Sequence, residues 1–116
     1  MTTAEFYDYV GGDYDDVKCR FMKDELISRF LRMLPDDGSM DELNAAVAAG
    51  SSEGAFRAVH TLKGVALNLG LSSLANACSA MTEAIRGRSE MCSPELYEAV
   101  RAEYARVRDG LDRLDA

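Results

Sequence analysis

The sequence predicts an all-helical protein, an up-and-down four-helix bundle with one or two extra short helices at its N-terminal end. Three observations predict this class. Only two prolines occur in 116 residues, and β-branched residues are few. Ala, Leu, Arg, Glu and Met recur at three- and four-residue spacing, which is typical of amphipathic helices. The segments between the long helices are short, so neighbouring helices are expected to be antiparallel.

A short helix and a long one are predicted first. The short helix covers residues 4–9 and is broken at Gly11-Gly12, where glycine allows the chain to reverse. Asp13 is expected to cap the next helix. From Tyr14 to Leu34 the apolar residues fall on one stripe, which predicts a long bundle helix, with Met22 as the place where it can bend. The sequence Pro-Asp-Asp-Gly at 35–38 is expected to stop it.

The third predicted helix begins at Ser39. Ser39 and Glu42 have the spacing of a capping box, in which each residue satisfies the backbone N–H of the other. Gly50 is expected to end this helix. Its buried face would consist of Leu43, Ala46 and Val47.

Three further helices complete the predicted chain. A central helix is expected over about 53–69, with Gly70 as a left-handed cap, and a second restarts at Ser72 or Ser73 and runs through Arg86. Ser93, Pro94 and Glu95 give a strong start signal for the last helix. The inward residues of the second helix would be Leu74, Ala77, Cys78, Met81 and Ile85, and those of the last would be Leu96, Val100, Tyr104, Val107, Leu111 and Leu114.

Length and composition bound the class of protein. A chain of 116 residues, 47% hydrophobic and 28% charged, is expected to form a single domain over 1–116 that folds without disulfides. No apolar run is long enough for a membrane span, and the N-terminus lacks the features of a signal peptide, so we expect a cytoplasmic monomer. Cys19, Cys78 and Cys92 show no CxxC spacing, which argues against a disulfide framework or a zinc site.

The charge distribution is uneven. The net charge of −7 argues against nucleic acid or an anionic membrane as the main partner. Residues 1–54 carry five basic and twelve acidic side chains, net −7. Residues 55–88 carry four basic and one acidic, net +3, and residues 89–116 carry four and seven, net −3. A positive region on an acidic body can steer an acidic partner to one place, although so few charges can also be distributed this way by chance.

His60, the only histidine, lies in that positive region. At 100° per residue, the core stripe of the central helix lies roughly opposite His60, so the imidazole is expected to be at least partly exposed. Lys63 and Arg57 are one turn away on its own side, and Gly64 is next in the same row. The residues of that core stripe are Ala55, Ala58, Leu62, Val65, Ala66 and Leu69.

The neighbours of His60 suggest a docking surface. A glycine inside a helix costs about 1 kcal/mol relative to alanine, and close approach of another molecule would account for Gly64. Phe56 and Leu67 lie within about 40° of His60 around the helix. Neutral imidazole is a competent nucleophile, and Lys63 and Arg57 can offset the charge of an anionic phosphoryl group. Each cation could instead be an ordinary solvated side chain. That interpretation is favoured for Arg57, whereas a functional role is favoured for Lys63.

The run His60-Thr61-Leu62-Lys63-Gly64, followed by Leu69-Gly70, resembles the His-x-x-Lys-Gly and Leu-Gly pattern of the histidine-containing phosphotransfer (HPt) domain. The resemblance extends from about Asp13 to Leu114. It implies a phosphocarrier without ATP-dependent kinase activity, in which His60 is phosphorylated, Lys63 gives charge support and Gly64 gives steric access. Val59 departs from the small residue that the family often has before the histidine, which would narrow access slightly.

The resemblance also implies the partner. We expect a response-regulator receiver domain, free or within a hybrid sensor kinase, to supply Mg²⁺ and the aspartyl phosphate, and this chain to bind no cofactor or metal itself. Phe56, Arg57, Leu67 and Asn68 are the expected partner-binding residues.

Two other function classes are compatible with a helical chain of this size. A helical module that binds receivers without carrying phosphate is the alternative, and the intact His-x-x-Lys-Gly disfavours it. A hydrolase or metalloenzyme is poorly supported, because the sequence has no HExxH, P-loop or GxSxG motif.

Overall fold

The computed structural model describes residues 1–115, and within them every regular element is helical. Seven α-helices and one 3₁₀ turn (Leu34–Asp36) are present. The α-helices are α1 (Thr3–Val10), α2 (Tyr14–Phe21), α3 (Asp24–Leu31), α4 (Ser39–Ala48), α5 (Ser52–Asn68), α6 (Ser72–Ile85) and α7 (Pro94–Arg113). The prediction of an all-helical protein is confirmed.

Helix α1 is one residue longer at each end than predicted, and it ends at Gly11, where the break was expected. The Thr2 hydroxyl accepts a hydrogen bond from the Glu5 N–H, and the Glu5 carboxylate accepts one from the Thr2 N–H, so both ends of a capping box are made. Gly11 ends the helix with φ of 67°, a left-handed conformation that favours glycine. The Asp13 carboxylate then accepts from the Asp16 N–H and caps α2, as expected.

The prediction of one long helix over Tyr14 to Leu34 is wrong, although the chain breaks at Met22, the residue where a bend was expected. The chain leaves the helical conformation at Met22, with φ of 70°, and Lys23 is extended before α3 begins. In one continuous helix Tyr14 and Asp24 would be about 15 Å apart along the axis. The break folds the chain back, so that the Tyr14 hydroxyl donates to the Asp24 carboxylate at 2.5 Å.

The break also changes the number of helices at the N-terminal end. Three short helices precede α4, instead of the one or two expected. Lys18 donates to the same Asp24 carboxylate at 2.9 Å, and the rings of Phe21 and Phe30 pack with centroids 5.1 Å apart. These contacts between α2 and α3 compensate for the backbone hydrogen bonds that a continuous helix would have made.

The start of α4 also differs from the prediction. Ser39 is the first helical residue, and it makes no capping box with Glu42. The Asp37 carboxylate takes that place, since it accepts from the Ser39 N–H at 3.1 Å. Leu43 is buried, whereas Ala46 and Val47 are half-buried. Gly50, with φ of 67°, ends the helix region as predicted.

The later helices fall within one or two residues of their predicted bounds. The Ser51 hydroxyl caps α5, and Gly70 is left-handed with φ of 67°. Pro94 is the first residue of α7, although Ser93 makes no side-chain cap bond. Of the inward residues expected on α6 and α7, Ala77, Leu96 and Tyr104 are half-buried and the others are buried.

The helices pack in chain order. Helix α4 packs on α5, α5 on α6, and α6 on α7. The Tyr97 hydroxyl of α7 donates to the Asn44 side chain of α4 at 2.6 Å, which joins the last helix to the first of these four. Helix α1 lies on α7. The Tyr7 hydroxyl donates to the Leu69 carbonyl at 2.7 Å, so α1 also holds the C-terminal end of α5.

Candidate functional site

His60 lies in the middle of α5 and is exposed. The buried face of α5 points away from it, as the periodicity predicts. Val59 is fully buried, so it faces the core and does not narrow access to His60, contrary to expectation. Val65, expected in the core stripe, is only half-buried. The buried residues of α5 are Ala55, Ala58, Val59, Leu62 and Ala66.

The imidazole of His60 rests against an aromatic ring. Its plane is 2° from parallel to that of Phe56, with the ring centroids 5.9 Å apart. Phe56 in turn has the guanidinium of Arg86 over its ring, 5.3 Å from the centroid. Such cation–π contacts contribute roughly 0.5–1 kcal/mol at exposed sites. The residue that caps the C-terminal end of α6 therefore helps to hold the ring against which the imidazole lies.

Charged side chains at the C-terminal end of α6 lie near His60. Arg86 binds Glu83 through Nη2 and Oε1 at 3.1 Å, and this hydrogen bond lowers the pKa of the Glu83 carboxyl. The charges of Lys63 and His60 lower that pKa further, to a smaller extent. Lys63 is half-buried, and it forms no ion pair within residues 1–115. Its ammonium group is therefore not held in an ion pair and can approach an anion at the imidazole, although the Glu83 carboxylate is near enough to feel its charge.

Gly64 gives the open space that its position predicts. A β-carbon built on Gly64 would have no atom within 4 Å outside its own helix, and the residue is exposed. The backbone of α5 is thus accessible one turn beyond His60. Nothing within the described chain needs a glycine here for packing. Glycine destabilises the helix by about 1 kcal/mol relative to alanine, and no contact in the isolated protein offsets this loss.

The expected partner-binding residues are distributed along one side of α5. Leu67 is 54% exposed, and Asn68 is exposed and accepts from the Arg20 side chain at 3.3 Å. Arg57 turns away from His60 and binds Glu53 at 2.7 Å. This agrees with Arg57 as a solvated surface cation, and the structure brings only Phe56 of this set against the imidazole.

Arg86 and Glu83 are the site residues that the sequence analysis missed. Glu83 lies in the last turn of α6 and Arg86 directly follows that helix. Both are more than twenty residues from His60, so the spacing rules for a single helix cannot find them. Arg86 was counted in the positive region around His60, and that was the available signal. Packing of α5 against α6 converts it into a contact with Phe56.

The cysteines lie outside this site. Cys78 is buried, and burial raises the pKa of its thiol to about 12. Cys19 is exposed and Cys92 half-buried. In residues 1–115 no three His, Cys, Asp or Glu side chains are grouped so that they could hold a metal ion. No helix there combines the length and the apolar character that crossing a membrane requires.

Comparison with known families decides the assignment. The Hpt domain family matches residues 25–114, which is most of the chain. The chain belongs to the Hpt domain family. The match begins inside α3, so α1 and α2 precede it, and it is shorter at this end than the resemblance seen in the sequence. No curated protein and no solved structure matched the chain.

Membership in the family carries general consequences. An Hpt domain takes part in histidine phosphotransfer within phosphorelay signalling. Hpt domains in general are phosphocarriers without kinase activity, and they interact with receiver domains or kinases. His60 is the one histidine of this Hpt domain.

Proposed function

We propose that this chain is a phosphorelay intermediate in which His60 accepts a phosphoryl group from the aspartyl phosphate of a receiver domain and passes it to another receiver. The whole chain acts as one phosphotransfer domain. Its helices α4 to α7 form the four-helix bundle, closed by the Tyr97–Asn44 hydrogen bond, and α1 to α3 cover one end.

The observation that carries the proposal is the environment of His60. The imidazole is exposed at mid-helix and supported on one face by Phe56, and the backbone beyond it is open at Gly64. A histidine that served the core would instead be buried and hydrogen-bonded. This arrangement supports a nucleophile that a folded partner can approach.

The transfer step needs little from this chain beyond the nucleophile. The unprotonated ring nitrogen of neutral His60 donates its lone pair to phosphorus as the bond from phosphorus to the aspartyl oxygen breaks, and the carboxylate leaves with that electron pair. The proton on the other ring nitrogen can pass to water. The reverse sequence, with a receiver carboxylate as nucleophile, regenerates neutral His60.

Charge on the α6 side supports the phosphorylated state. Lys63 forms no ion pair within the described residues, so its ammonium group can offset the phosphoryl charge. Arg86 is shared between Glu83 and the Phe56 ring. Arg57 is bound to Glu53, and we assign it a steering role at the edge of the surface, with Phe56, Leu67 and Asn68 as contacts to the partner. Receiver domains supply the Mg²⁺ that balances charge on the acidic side of the complex.

Phosphotransfer profiling tests the proposal. The chain is incubated with each of a panel of ³²P-labelled receiver domains from its own organism. We expect label on the chain that is labile in acid and stable in alkali, and no label on His60→Gln with an unchanged melting temperature. Receiver incubated alone controls for its own loss of phosphate.

Two outcomes would overturn the proposal. Label that persists in His60→Gln would assign the phosphoryl group to another residue. If the chain stays unlabelled, and His60→Gln retains both receiver affinity and signalling, then the chain is a helical binding module that carries no phosphate.

A further inference from the structure

The segment that follows α6 lies against the same row of α5 side chains as His60. Ser52, Phe56 and His60 follow one another at four-residue spacing on α5, so their side chains lie along one side of the helix. None of the three is buried. His60 stacks on Phe56, and Phe56 has the guanidinium of Arg86 over its ring. The row therefore connects the imidazole with the chain beyond α6.

The turn at residues 86–89 reverses the chain directly after α6. Arg86 is the first residue beyond the helix, and Gly87 has φ of 68°, a left-handed conformation that favours glycine. The Ser52 hydroxyl donates to the carbonyls of the next two residues, at 3.4 and 3.1 Å. These bonds attach the turn to the first residue of α5, one helical turn before Phe56.

Glu83 restrains the other end of the Arg86 side chain. Its Oε1 accepts from Nη2 of Arg86 at 3.1 Å and from Nε at 3.3 Å, and Nε is also 3.4 Å from Oε2. A guanidinium that is bonded through two of its nitrogens has less rotational freedom than one bonded through a single nitrogen. The carboxylate therefore holds the guanidinium over the Phe56 ring, 5.3 Å from its centroid.

The Phe56 ring depends on this contact because packing does not enclose it. Phe56 is half-buried and lines a groove of about 390 Å³ between α5 and the turn. Open space on this side allows the ring to leave its rotamer, and the Arg86 guanidinium is the group that lies over it. The orientation of the His60 imidazole follows that of the ring, since the two planes are 2° from parallel.

We propose that Glu83 is a positioning residue for the phosphotransfer reaction, because it holds Arg86 on Phe56 and thereby keeps the His60 imidazole stacked. Ser52 assists by holding the turn. The inference rests on the proposed function, since it concerns how readily His60 reaches a phosphoryl group. A ring that is kept in one orientation loses less entropy on the way to the transition state.

A direct electrostatic role for Glu83 would have the opposite effect. Its carboxyl pKa is lowered first by the hydrogen bond from Arg86 and then, to a smaller extent, by the charges of Lys63 and His60. A carboxylate this near to His60 repels an incoming phosphoryl anion, so its removal would speed phosphorylation. Positioning requires that its removal slows phosphorylation. The sign of the change therefore distinguishes the two roles.

Phosphoramidate labelling and proton NMR spectroscopy of Glu83→Gln test the inference. Phosphoramidate is a small phosphoryl donor that needs no docking surface, so it reports the reactivity of His60 alone. His60 is the only histidine, so its imidazole C–H resonances are assigned without ambiguity, and the ring current of Phe56 shifts them. Spectra are compared at the high-pH plateau of the His60 titration, where protonation does not contribute to the shift.

Glu98→Gln is the matched control. Glu98 binds Arg101 at 2.9 Å with the same three-residue spacing, and the Arg101 guanidinium lies over the Tyr97 ring, 5.5 Å from its centroid. The glutamate side chains of the two ion pairs are equally exposed, at 60%. The control removes the same charge from the same arrangement on α7, where the ring belongs to a residue that bonds Asn44 of α4.

We expect Glu83→Gln to slow labelling by phosphoramidate about twofold, the effect of losing one exposed ion pair. The imidazole resonances should move towards those of an unstacked histidine. Ser52→Ala should change both quantities in the same direction, and Glu98→Gln should change neither. In the Phe56→Leu background, which lacks the flat ring, Glu83→Gln should have no further effect on the rate. Melting temperatures should stay within a few degrees of the wild type.

Faster or unchanged labelling of Glu83→Gln would overturn the inference, and so would unchanged imidazole resonances. A slower rate that persists in the Phe56→Leu background would also overturn it, because Glu83 would then act without the ring. A wild-type chain that neither receivers nor phosphoramidate label would instead refute the proposed function. The resonances would still show in that case whether Glu83 holds the stack.

Discussion

The imidazole ring of His60 and the phenyl ring of Phe56 are stacked, with planes 2° from parallel and centroids 5.9 Å apart. The pair lies one helical turn apart on α5, and the guanidinium of Arg86, just after α6, lies over the phenyl ring. Contact with a flat ring limits rotation of the imidazole, while His60 as a whole stays exposed. A nucleophile held in this way loses less entropy on reaching the phosphoryl group.

Replacement of Phe56 tests that role. Phe56→Leu keeps an apolar side chain of similar size but removes the flat face, so we expect stability to change by less than about 1.5 kcal/mol. Phosphorylation by phosphoramidate should slow several-fold. Phe56→Tyr is the control, because it retains the ring and should retain the rate. Equal rates in Phe56→Leu and the wild type would show that the stack does not position His60.

Substitutions of Gly64 should have opposite effects on the stability of the fold and on the rate of phosphoryl transfer from a receiver. Gly64→Ala should raise stability by about 1 kcal/mol, because alanine is the better helix former and its β-carbon meets nothing within 4 Å. Gly64→Gln should keep the helix content by circular dichroism yet slow transfer from a receiver by tenfold or more, with alanine intermediate. Phosphoramidate should label all three proteins alike. Receiver transfer that is indifferent to the size of residue 64 would contradict close approach at this position.

Lys63 and Arg57 are matched cations on either side of His60. Lys63 has no ion pair within the described residues, whereas Arg57 binds Glu53 at 2.7 Å. Lys63→Ala should therefore reduce the steady-state fraction of phosphorylated His60 more than it reduces stability. Arg57→Ala should change that fraction little and should mainly weaken the salt dependence of association. The measurement is phosphorylated fraction against melting temperature for both variants, and equal losses of both quantities in Lys63→Ala would indicate a structural lysine.

The sequence predicted α5 closely because its determinants are local. Gly70 and the apolar period together predict where the helix ends and which side faces the core, and the exposure of His60 follows from that geometry. The contact of Arg86 with Phe56 depends on which helices become neighbours in space. No spacing within one helix contains that information.

The break at Met22 depends both on a local sequence signal and on a contact between residues that are distant in the chain. The break allows a hydrogen bond between Tyr14 and Asp24, which are ten positions apart. The two residues can meet only because the chain folds back at the break. A local signal was nevertheless present. Basic residues Lys18 and Arg20 occupy the last turn of α2, and acidic residues begin α3, which is the charge pattern of a helix end followed by a helix start. The continuous apolar stripe across both segments masks this pattern, and the long helix was predicted wrongly.

The pH dependence of stability tests the break through Asp24. Hydrogen bonds from the Tyr14 hydroxyl and then from Lys18 lower the pKa of the Asp24 carboxyl in the folded protein. A folded-state pKa below the unfolded value means that the native state binds fewer protons, so this contribution is fully present above the unfolded value of about 3.9. It is lost as the pH falls through the lower, folded value.

Asp24→Asn should therefore melt several degrees below the wild type at pH 7, and the difference should shrink on acidification below about pH 4. Glu25→Gln is the control, since Glu25 is also in the first turn of α3 but makes no hydrogen bond to α2 within residues 1–115. It should show a smaller difference at both pH values. If Asp24→Asn loses equal stability at pH 7 and pH 2.5, the Asp24 charge does not hold α3 against α2, and the break must be stabilised by Phe21 and Phe30 instead.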